Sequence, residues 1–388
     1  MYTIQLLNNI STKGIGLLDH KSYKITEDED CNPDAILVRS AKMHEMKIDD
    51  NLLSVGRAGS GVNNIPLDKM SENGIVVFNA PGANANAVKE LVIAGMLMAS
   101  RNLTQAFEYV KNLKLSDDEL PKQIEAGKKM FAGHELPGKT LGVIGLGAIG
   151  VNVANAALDL GMNVIGYDPS LTVKSAWRLK SAVQNADDIN DLFANCDYIS
   201  FHVPLLKSTA NLINKDNILT LKKGVVVLNF ARDGIVDDLA IIDGIEQQII
   251  KTFVTDFPSN KFKGIDDIIS LPHLGASTAE AEDNCAIMVA EQTKDYLENG
   301  NIKNSVNLPN LFLPRKTKNR LTIINKNQPD MVAQISHTLG ECSINIKHMA
   351  NESRGDYAYT IIDVDGTIPN EIICKLSQID GIIKARII

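Results

Sequence analysis

One histidine, His273, stands in the stretch "SLPHLGAST" (270–278), just past a short apolar run that reads as a strand. An imidazole titrates near neutrality, so at a strand end it can take up a hydroxyl proton and return it; packed as a core or capping residue it does neither. One arginine, Arg232, follows another apolar run in "NFARDGIVDD" (229–238). Its planar guanidinium can fork onto a carboxylate or polarise a carbonyl in a way Lys cannot, unless a salt bridge with Asp233 or Asp237 engages it. A third feature, "GLGAIG" (145–150), matches G-x-G-x-x-G between the run "TLGVI" and the helical pattern "VNVANAALDLG". In that setting Gly145 makes a tight turn, Gly147 lets backbone approach a pyrophosphate, and Gly150 permits close packing of helix on strand. Asp168 ends the next run, "MNVIGYDP". There its carboxylate can accept from a ribose 2′-hydroxyl and repels a 2′-phosphate, so the expected cofactor is NAD rather than NADP. Tyr167 can lie against an adenine or belong to the core.

These groups need strands to carry them. The runs "AILVRS", "LLSVGRAGSG" and "GIVVFNAPG" in the first part, and "KTLGVIGLG", "MNVIGYDP", "CDYISFHVP", "GVVVLNFAR", "KTFVTDF" and "IISLPHLG" in the second, alternate with helical patterns. That rhythm predicts an α/β fold with parallel sheets and functional loops at the carboxyl ends of the strands. "NANAVKELVIAGMLM" (84–98) reads as a buried helix, and 115–138 as an irregular charged connector. The expected architecture is a Rossmann-like doubly wound NAD domain (99–278) inserted in a flavodoxin-like substrate domain (1–98, completed by a return helix in 279–312). A linker (313–318) leads to a ferredoxin-like βαββαβ module (319–388).

Composition narrows the function. Thirty-nine Lys plus Arg against 47 Asp plus Glu leave a net charge of −8, which disfavours nucleic acid as a partner. Any anionic ligand must be held by local cations. The five cysteines (31, 196, 285, 342, 374) show no metal-ligand spacing and read as reduced cytoplasmic thiols, so no metal is expected. No targeting signal and no membrane-spanning run is seen in the sequence.

Beyond these readings, the chain resembles the D-2-hydroxyacid dehydrogenase family over nearly its whole length, with a tail similar to ACT domains. The motifs carrying the resemblance are "VGRAGSGVNNIPLDKMSENGIVVFNAPGANANAVKEL", "LPGKTLGVIGLGAIG", "FHVPLLKSTANLI", "LNFARDGIVDD", "LPHLGASTAEAEDN" and, in the tail, "INIKHM". The resemblance implies that Arg232 holds the substrate carboxylate and carbonyl oxygen and that His273 is the general acid/base. It implies that the loop 57–62, with Arg57, Ser60 and Gly61, binds carboxylate through backbone N–H groups, and that Asn84 lines the substrate pocket. Ala148 and Ile149 join the glycines in holding the cofactor. His202, Val203 and Pro204 would flank its adenosine side; Phe230, Ala231 and Gly275 would lie near the nicotinamide, and Asp256 would accept from the carboxamide. The implied reaction is oxidation of 3-phospho-D-glycerate in serine biosynthesis, with Arg39, Ser40, Lys42 and Arg57 around the phosphate unless they are merely solvated charges. The alternatives are a relative acting on glyoxylate or hydroxypyruvate, and a non-catalytic NAD(H)-sensing scaffold.

Two positions depart from the family pattern. A glutamate expected in "VTDFPSNKF" (254–262) is replaced by Asn260 or Lys261, so His273 must work without it or find another acid among Asp256, Asp266 and Asp267. In the tail, "INKNQPD" (324–330) carries Asn325 where an imidazole is expected and Asp330 where a glycine is. Asn325, Asn327 and Asn345 are the residues expected to bind an L-serine effector in a homodimer or homotetramer; the alternative is a module for dimerisation only.

Overall fold

A computed structural model describes residues 1–28, 30–369 and 371–388. By its contacts the chain divides into two compact units, Met1–Asn84 with Ala279–Ile388, and Ala85–Thr278. The first unit opens with β1 (Tyr2–Leu7), β2 (Tyr23–Thr26), β3 (Ala35–Val38), β4 (Ser54–Arg57) and β5 (Val76–Phe78), in the order β2-β1-β3-β4-β5. All four pairings are parallel, and this is the flavodoxin-like doubly wound order. The runs "AILV" and "VVF" are buried at every position, as strands covered on both faces must be. The 21-residue helix Ala279–Asn299 returns to this sheet and buries Cys285, Ala286, Val289 and Leu297 against it.

The second unit holds β6 (Thr140–Ile144), β7 (Asn163–Tyr167), β8 (Gln184–Asn185), β9 (Tyr198–Phe201), β10 (Val225–Asn229), β11 (Ile250–Thr255) and β12 (Ile268–Ser270). Their order, β12-β11-β10-β9-β6-β7-β8, is that of a Rossmann-type sheet. The helix Ala85–Ser100 packs Val88, Val92, Met96 and Ala99 into the same core as Val143, Val226, Leu228 and Val254. The division therefore falls at Asn84/Ala85 rather than after residue 98, because the apolar side of this helix goes to the second sheet. The stretch 115–138, expected to be irregular, forms the helix Leu120–Gly127 and a 3-10 turn, Lys128–Phe131. Pro121 in the first turn, with φ preset for a helix, is the local reason.

Parallel pairing aligns the strand ends of the second sheet. Ile144 pairs with Tyr167 and Phe201, Phe201 with Asn229, Asn229 with Thr255, and Thr255 with Ser270. Each is the last residue of its strand, so the residues that follow leave the sheet at one level.

The tail of the first unit is an antiparallel sheet of β13 (Asn319–Lys326), β14 (Asn345–Arg354), β15 (Tyr357–Asp365) and β16 (Ile382–Ile387), ordered β14-β15-β13-β16. Helices Met331–Glu341 and Glu371–Leu376 complete the ferredoxin-like βαββαβ pattern. Along β13 the side chains alternate. Leu321 and Ile323 pack with Ile335 and Leu339 beneath the module's own helices. Ile324, with Tyr359 and Ile361 of β15, packs on Phe78, Tyr296 and Ile302 of the first domain.

On that second face lies a fully buried ion pair. Arg320 Nε meets Asp363 Oδ1 at 2.6 Å and Nη2 meets Oδ2 at 3.0 Å, while Nη1 donates to the carbonyl of Asn299 at 2.8 Å. Burial works to raise the Asp363 carboxyl, but the Arg320 fork and the Lys316 N–H outweigh it and hold the group below the ordinary carboxylate range. Its contribution to stability is thus present above about pH 4, where the unfolded carboxyl is ionised, and is lost as pH falls through the lower folded value. Asp363→Ala leaves a buried unpaired guanidinium and is expected to cost about 3–5 kcal/mol in chemical denaturation at pH 7. The deficit relative to wild type should shrink on acidification below pH 4.

Candidate active site

The glycine-rich turn follows β6 directly. Gly145 has φ +90°, and its N–H donates to the Tyr167 carbonyl at 2.9 Å. A Cβ there would stand 2.7 Å from both the His202 carbonyl and a Val203 methyl; one at Gly150 would stand 1.8 Å from the Gly145 carbonyl. A Cβ at Gly147 would meet nothing within 4 Å. The turn is closed where the chain packs on itself and open at the start of the 12-residue helix Ala148–Asp159, whose first N–H groups have no partner within the helix. That open helix end is an anion cradle.

Asp168 is fastened to this turn. One carboxylate oxygen accepts from the Leu146 N–H and the other from the Ser170 N–H, both at 2.8 Å. Each oxygen keeps a lone pair for a ribose hydroxyl. Tyr167 packs half-buried against the sheet core. His202 follows β9; its Nε2 pairs with Ser200 Oγ at 2.9 Å, and its buried Nδ1 has no partner among the described residues. Val203 and Pro204 come next, half-buried and exposed respectively. An open cradle, a fixed carboxylate and an unanswered imidazole nitrogen along one strand row fit a dinucleotide. Gly145, Gly147, Ala148, Ile149, Gly150 and Asp168 are the residues that would hold it.

Farther along the row, β10 ends in Asn229, and Phe230 and Ala231 are buried behind Arg232. The Asn229 side chain accepts from the Ala231 N–H at 3.2 Å and donates to the Arg232 carbonyl at 2.9 Å, which fixes the bend. Arg232 is exposed, with Nη1 on the Ala231 carbonyl at 2.7 Å. No carboxylate of the described residues pairs with it. Of the two acids weighed for that role, Asp237 instead caps the helix Asp238–Glu246, accepting from Leu239 N–H at 2.9 Å.

His273 lies three residues past β12, as Arg232 lies three past β10, with β11 between them. Two strand spacings put the two exits roughly 10 Å apart. The His273 imidazole is exposed and packs edge-on against Phe257, ring centroids 5.1 Å apart. Among the described residues no carboxylate lies within ion-pair distance of it. Lys261 is committed to Asp238 at 3.1 Å, and Asn260 opens the 3-10 turn Asn260–Phe262. Asp266 and Asp267 engage through their carbonyls, which accept from Gln105 and from the Phe253 N–H. Asp256, 1% exposed, accepts from the backbone N–H groups of Leu274 and Gly275.

In the first unit, Arg57 ends β4 opposite Val38, and Arg39 follows Val38, so the two cations leave adjacent strands side by side. Arg57 lies across Gly59, where a Cβ would come within 1.9 Å of its Nη1. The Ser60 carbonyl accepts from Asn79 at 2.7 Å, while Gly61 is half-buried in the same loop. The Ser40 N–H donates to the Asn8 side chain at 3.2 Å, and Lys42 is exposed. Arg39 pairs with Glu282 at 2.6 Å, in the first turn of the return helix. Asn84 is 9% exposed, with a buried side-chain oxygen that lacks a partner among the described residues. Sequence reasoning missed Glu282, Ser200, Asn229 and Phe257, each of which acts through a contact rather than a motif.

In the tail, Asn325 is 1% exposed and its side-chain oxygen has no partner among the described residues; Asn327 donates to the Gly355 carbonyl at 3.0 Å. Asn345 is paired with Asp365, whereas Asn325 is paired with Ala358. The three asparagines are therefore not brought together: Asn345 stands at the opposite end of the sheet. Asp330 keeps the left-handed backbone, φ +70°, that a glycine would favour there.

Fold and strand-end geometry thus define a dinucleotide-binding α/β protein with an exposed arginine and an exposed histidine at nearby strand exits. Residues 93–275 match the family model "D-isomer specific 2-hydroxyacid dehydrogenase, NAD binding domain". The chain is 32% identical over 349 residues to a D-3-phosphoglycerate dehydrogenase of Haemophilus influenzae, covering 87% of this chain and 81% of the relative. It is 39% identical over 268 residues to the D-3-phosphoglycerate dehydrogenase of Methanocaldococcus jannaschii, covering 68% of this chain and 49% of the relative. It spans about half the length of several curated relatives that it matches. The NAD+-bound 3-phosphoglycerate dehydrogenase of Entamoeba histolytica superposes with a TM-score of 0.62 at 28% identity, over 80% of this chain and 99% of that one. The chain belongs to the D-isomer specific 2-hydroxyacid dehydrogenase family.

Burial lowers the His202 imidazole to about 3. The folded protein keeps it neutral over a range in which the unfolded chain, titrating near 6.5, binds a proton, so it costs stability as pH falls from about 6.5 toward 3. The slope is about 1.4 kcal/mol per pH unit for one such group. His202→Gln should show a shallower loss of unfolding free energy across that interval than wild type, measured by urea denaturation at stepped pH.

Proposed function

We propose that the chain oxidises 3-phospho-D-glycerate to 3-phosphooxypyruvate with NAD, the first step of the phosphorylated route to L-serine. The observation that carries this reading is the common strand-end row that delivers the NAD cradle, Arg232 and His273. Held by the glycine turn and Asp168, NAD would supply the hydride acceptor for C2 of the acid. Arg232 engages the substrate carboxylate and the oxygen becoming a carbonyl, for which its exposed guanidinium has donors beyond the one on Ala231. His273 takes the hydroxyl proton. Phe230, Ala231, Asp256 and Gly275 would hold the nicotinamide end, and His202, Val203 and Pro204 the adenosine.

On this reading the substrate-binding residues are Arg39, Ser40, Lys42, Arg57, Ser60, Gly61 and Asn84, with the phosphate on the cations. Support comes from the two arginines on adjacent strand ends and from the unpartnered Asn84 oxygen. The tail is read as an ACT module sensing L-serine in a cytoplasmic homodimer or homotetramer, supported by the buried unpartnered oxygen of Asn325. Because Asn345 lies at the other end of the sheet, one serine cannot touch all three asparagines of a single module; calorimetric titration with L-serine tests the effector.

An NADH-coupled assay with 3-phosphohydroxypyruvate, glyoxylate and pyruvate decides the reaction. Turnover should be preferred with the phosphorylated acid; a preference for glyoxylate, or no turnover with any acid, rejects the reading. Glu282 adds a second expectation, since a phosphate must compete with its carboxylate for Arg39. An exposed pair of this kind is worth at most about 1 kcal/mol, so Glu282→Gln should raise the kcat/KM ratio of phosphorylated over unphosphorylated acid by about two- to five-fold.

A further inference from the structure

Resting on that reading, we propose that Asp256 and Phe257 are positioning residues that hold His273 for proton transfer in place of the side-chain carboxylate the family pattern leads one to expect. His273 has φ +56°, a left-handed backbone uncommon outside glycine that tertiary contacts help to hold. The holding group is visible. Asp256 is 1% exposed and turns both carboxylate oxygens to the two residues after His273, accepting from Leu274 N–H at 2.7 Å and from Gly275 N–H at 2.8 Å. A buried carboxylate with two charge-assisted bonds to consecutive amides fixes the direction of that backbone.

Asp256 is itself fixed, its own N–H donating to the Asn229 carbonyl at 3.1 Å. The same Asn229 uses its side chain to set the bend before Arg232. One buried strand end thus sets the exits of both Arg232 and His273. Phe257, with its N–H on Thr255 Oγ1 at 3.1 Å, supplies the other half of the grip. Its ring meets the imidazole at 64° and 5.1 Å between centroids, an edge-to-face contact that limits rotation of the His273 side chain. Asp256 acts on the backbone and Phe257 on the ring. Among the described residues neither ring nitrogen is given a carboxylate, and Lys261, at one of the two positions where one is expected, is paired with Asp238. Orientation in this chain is separated from charge support: the imidazole is aimed by packing and left open at its nitrogens.

The test uses the full chain with Phe257→Ala, Phe257→Tyr and Asp256→Asn. Phe257→Ala should lower kcat by about 10- to 100-fold, the scale of a misplaced reacting group, with KM for the acid within about two-fold. Phe257→Tyr, which keeps the ring, should retain wild-type kcat, and Asp256→Asn should lower kcat if it folds. In the protein without substrate, the imidazole proton resonances of His273, assigned with His273→Gln, should move in Phe257→Ala and stay in Phe257→Tyr. Unchanged kcat together with unchanged resonances in Phe257→Ala overturns the proposal. Should wild type turn over no acid, the functional reading fails, and the resonances alone decide whether the ring positions His273.

Discussion

Parallel pairing in one register brings the ends of six strands to a single level, and the chemistry of the second unit depends on that alignment. Tyr167, Ile144, Phe201, Asn229, Thr255 and Ser270 form the last row of the sheet. The residues that follow them are Asp168, Gly145, His202, Phe230, Asp256 and Leu271, the next row. Four of them close the ladder, the N–H groups of Gly145, His202, Asp256 and Leu271 donating to the carbonyls of Tyr167, Ile144, Asn229 and Thr255, and, one residue on, the Leu146 N–H turns to the Asp168 carboxylate. A one-residue slip of any strand would turn its side chains to the other face and move its exit.

The buried strands guard against such a slip. β9 and β10 are buried at every position, and their neighbours fill both faces of the sheet. Burial on both faces makes a change of register costly in apolar packing, so the exits are placed by the core rather than by the loops themselves.

The C-terminal module is bound into the first unit by more than its linker. Arg320, Arg386 and Tyr359 donate to the carbonyls of Asn299, Tyr296 and Gly300 at the end of the return helix. Asn299 belongs to the last turn, whose carbonyls lack partners within the helix, and cations suit the negative end of its dipole. At the other end of the same helix, Glu282 and Asp283 pair with Arg39 and Lys13. One helix of 21 residues is therefore met by cations at both ends, Arg39 and Lys13 on its first acidic side chains and Arg320 and Arg386 on its last carbonyls.

Much of the architecture was legible because it rests on local pattern. Apolar runs ending in glycine or polar residues marked most strands, and "GLGAIG" followed by Asp168 located the cradle. The helix Ala85–Ser100 could be recognised, but not which sheet it joins, because a segment apolar nearly all round does not say which neighbour buries it. The helix Leu120–Gly127 escaped notice in a charged stretch that buries little. Residue types by themselves determined the two parallel sheets, the antiparallel tail and the candidate groups His273, Arg232 and the glycines, since periodicity and turn chemistry are written in adjacent residues. Only the tertiary structure decided that Arg39 meets Glu282, that Asp256 spends both oxygens on the amides after His273, and that Phe257 packs on the imidazole. Those contacts join residues up to 243 positions apart, 282 − 39, and depend on strand register and on which rotamers a packed core allows.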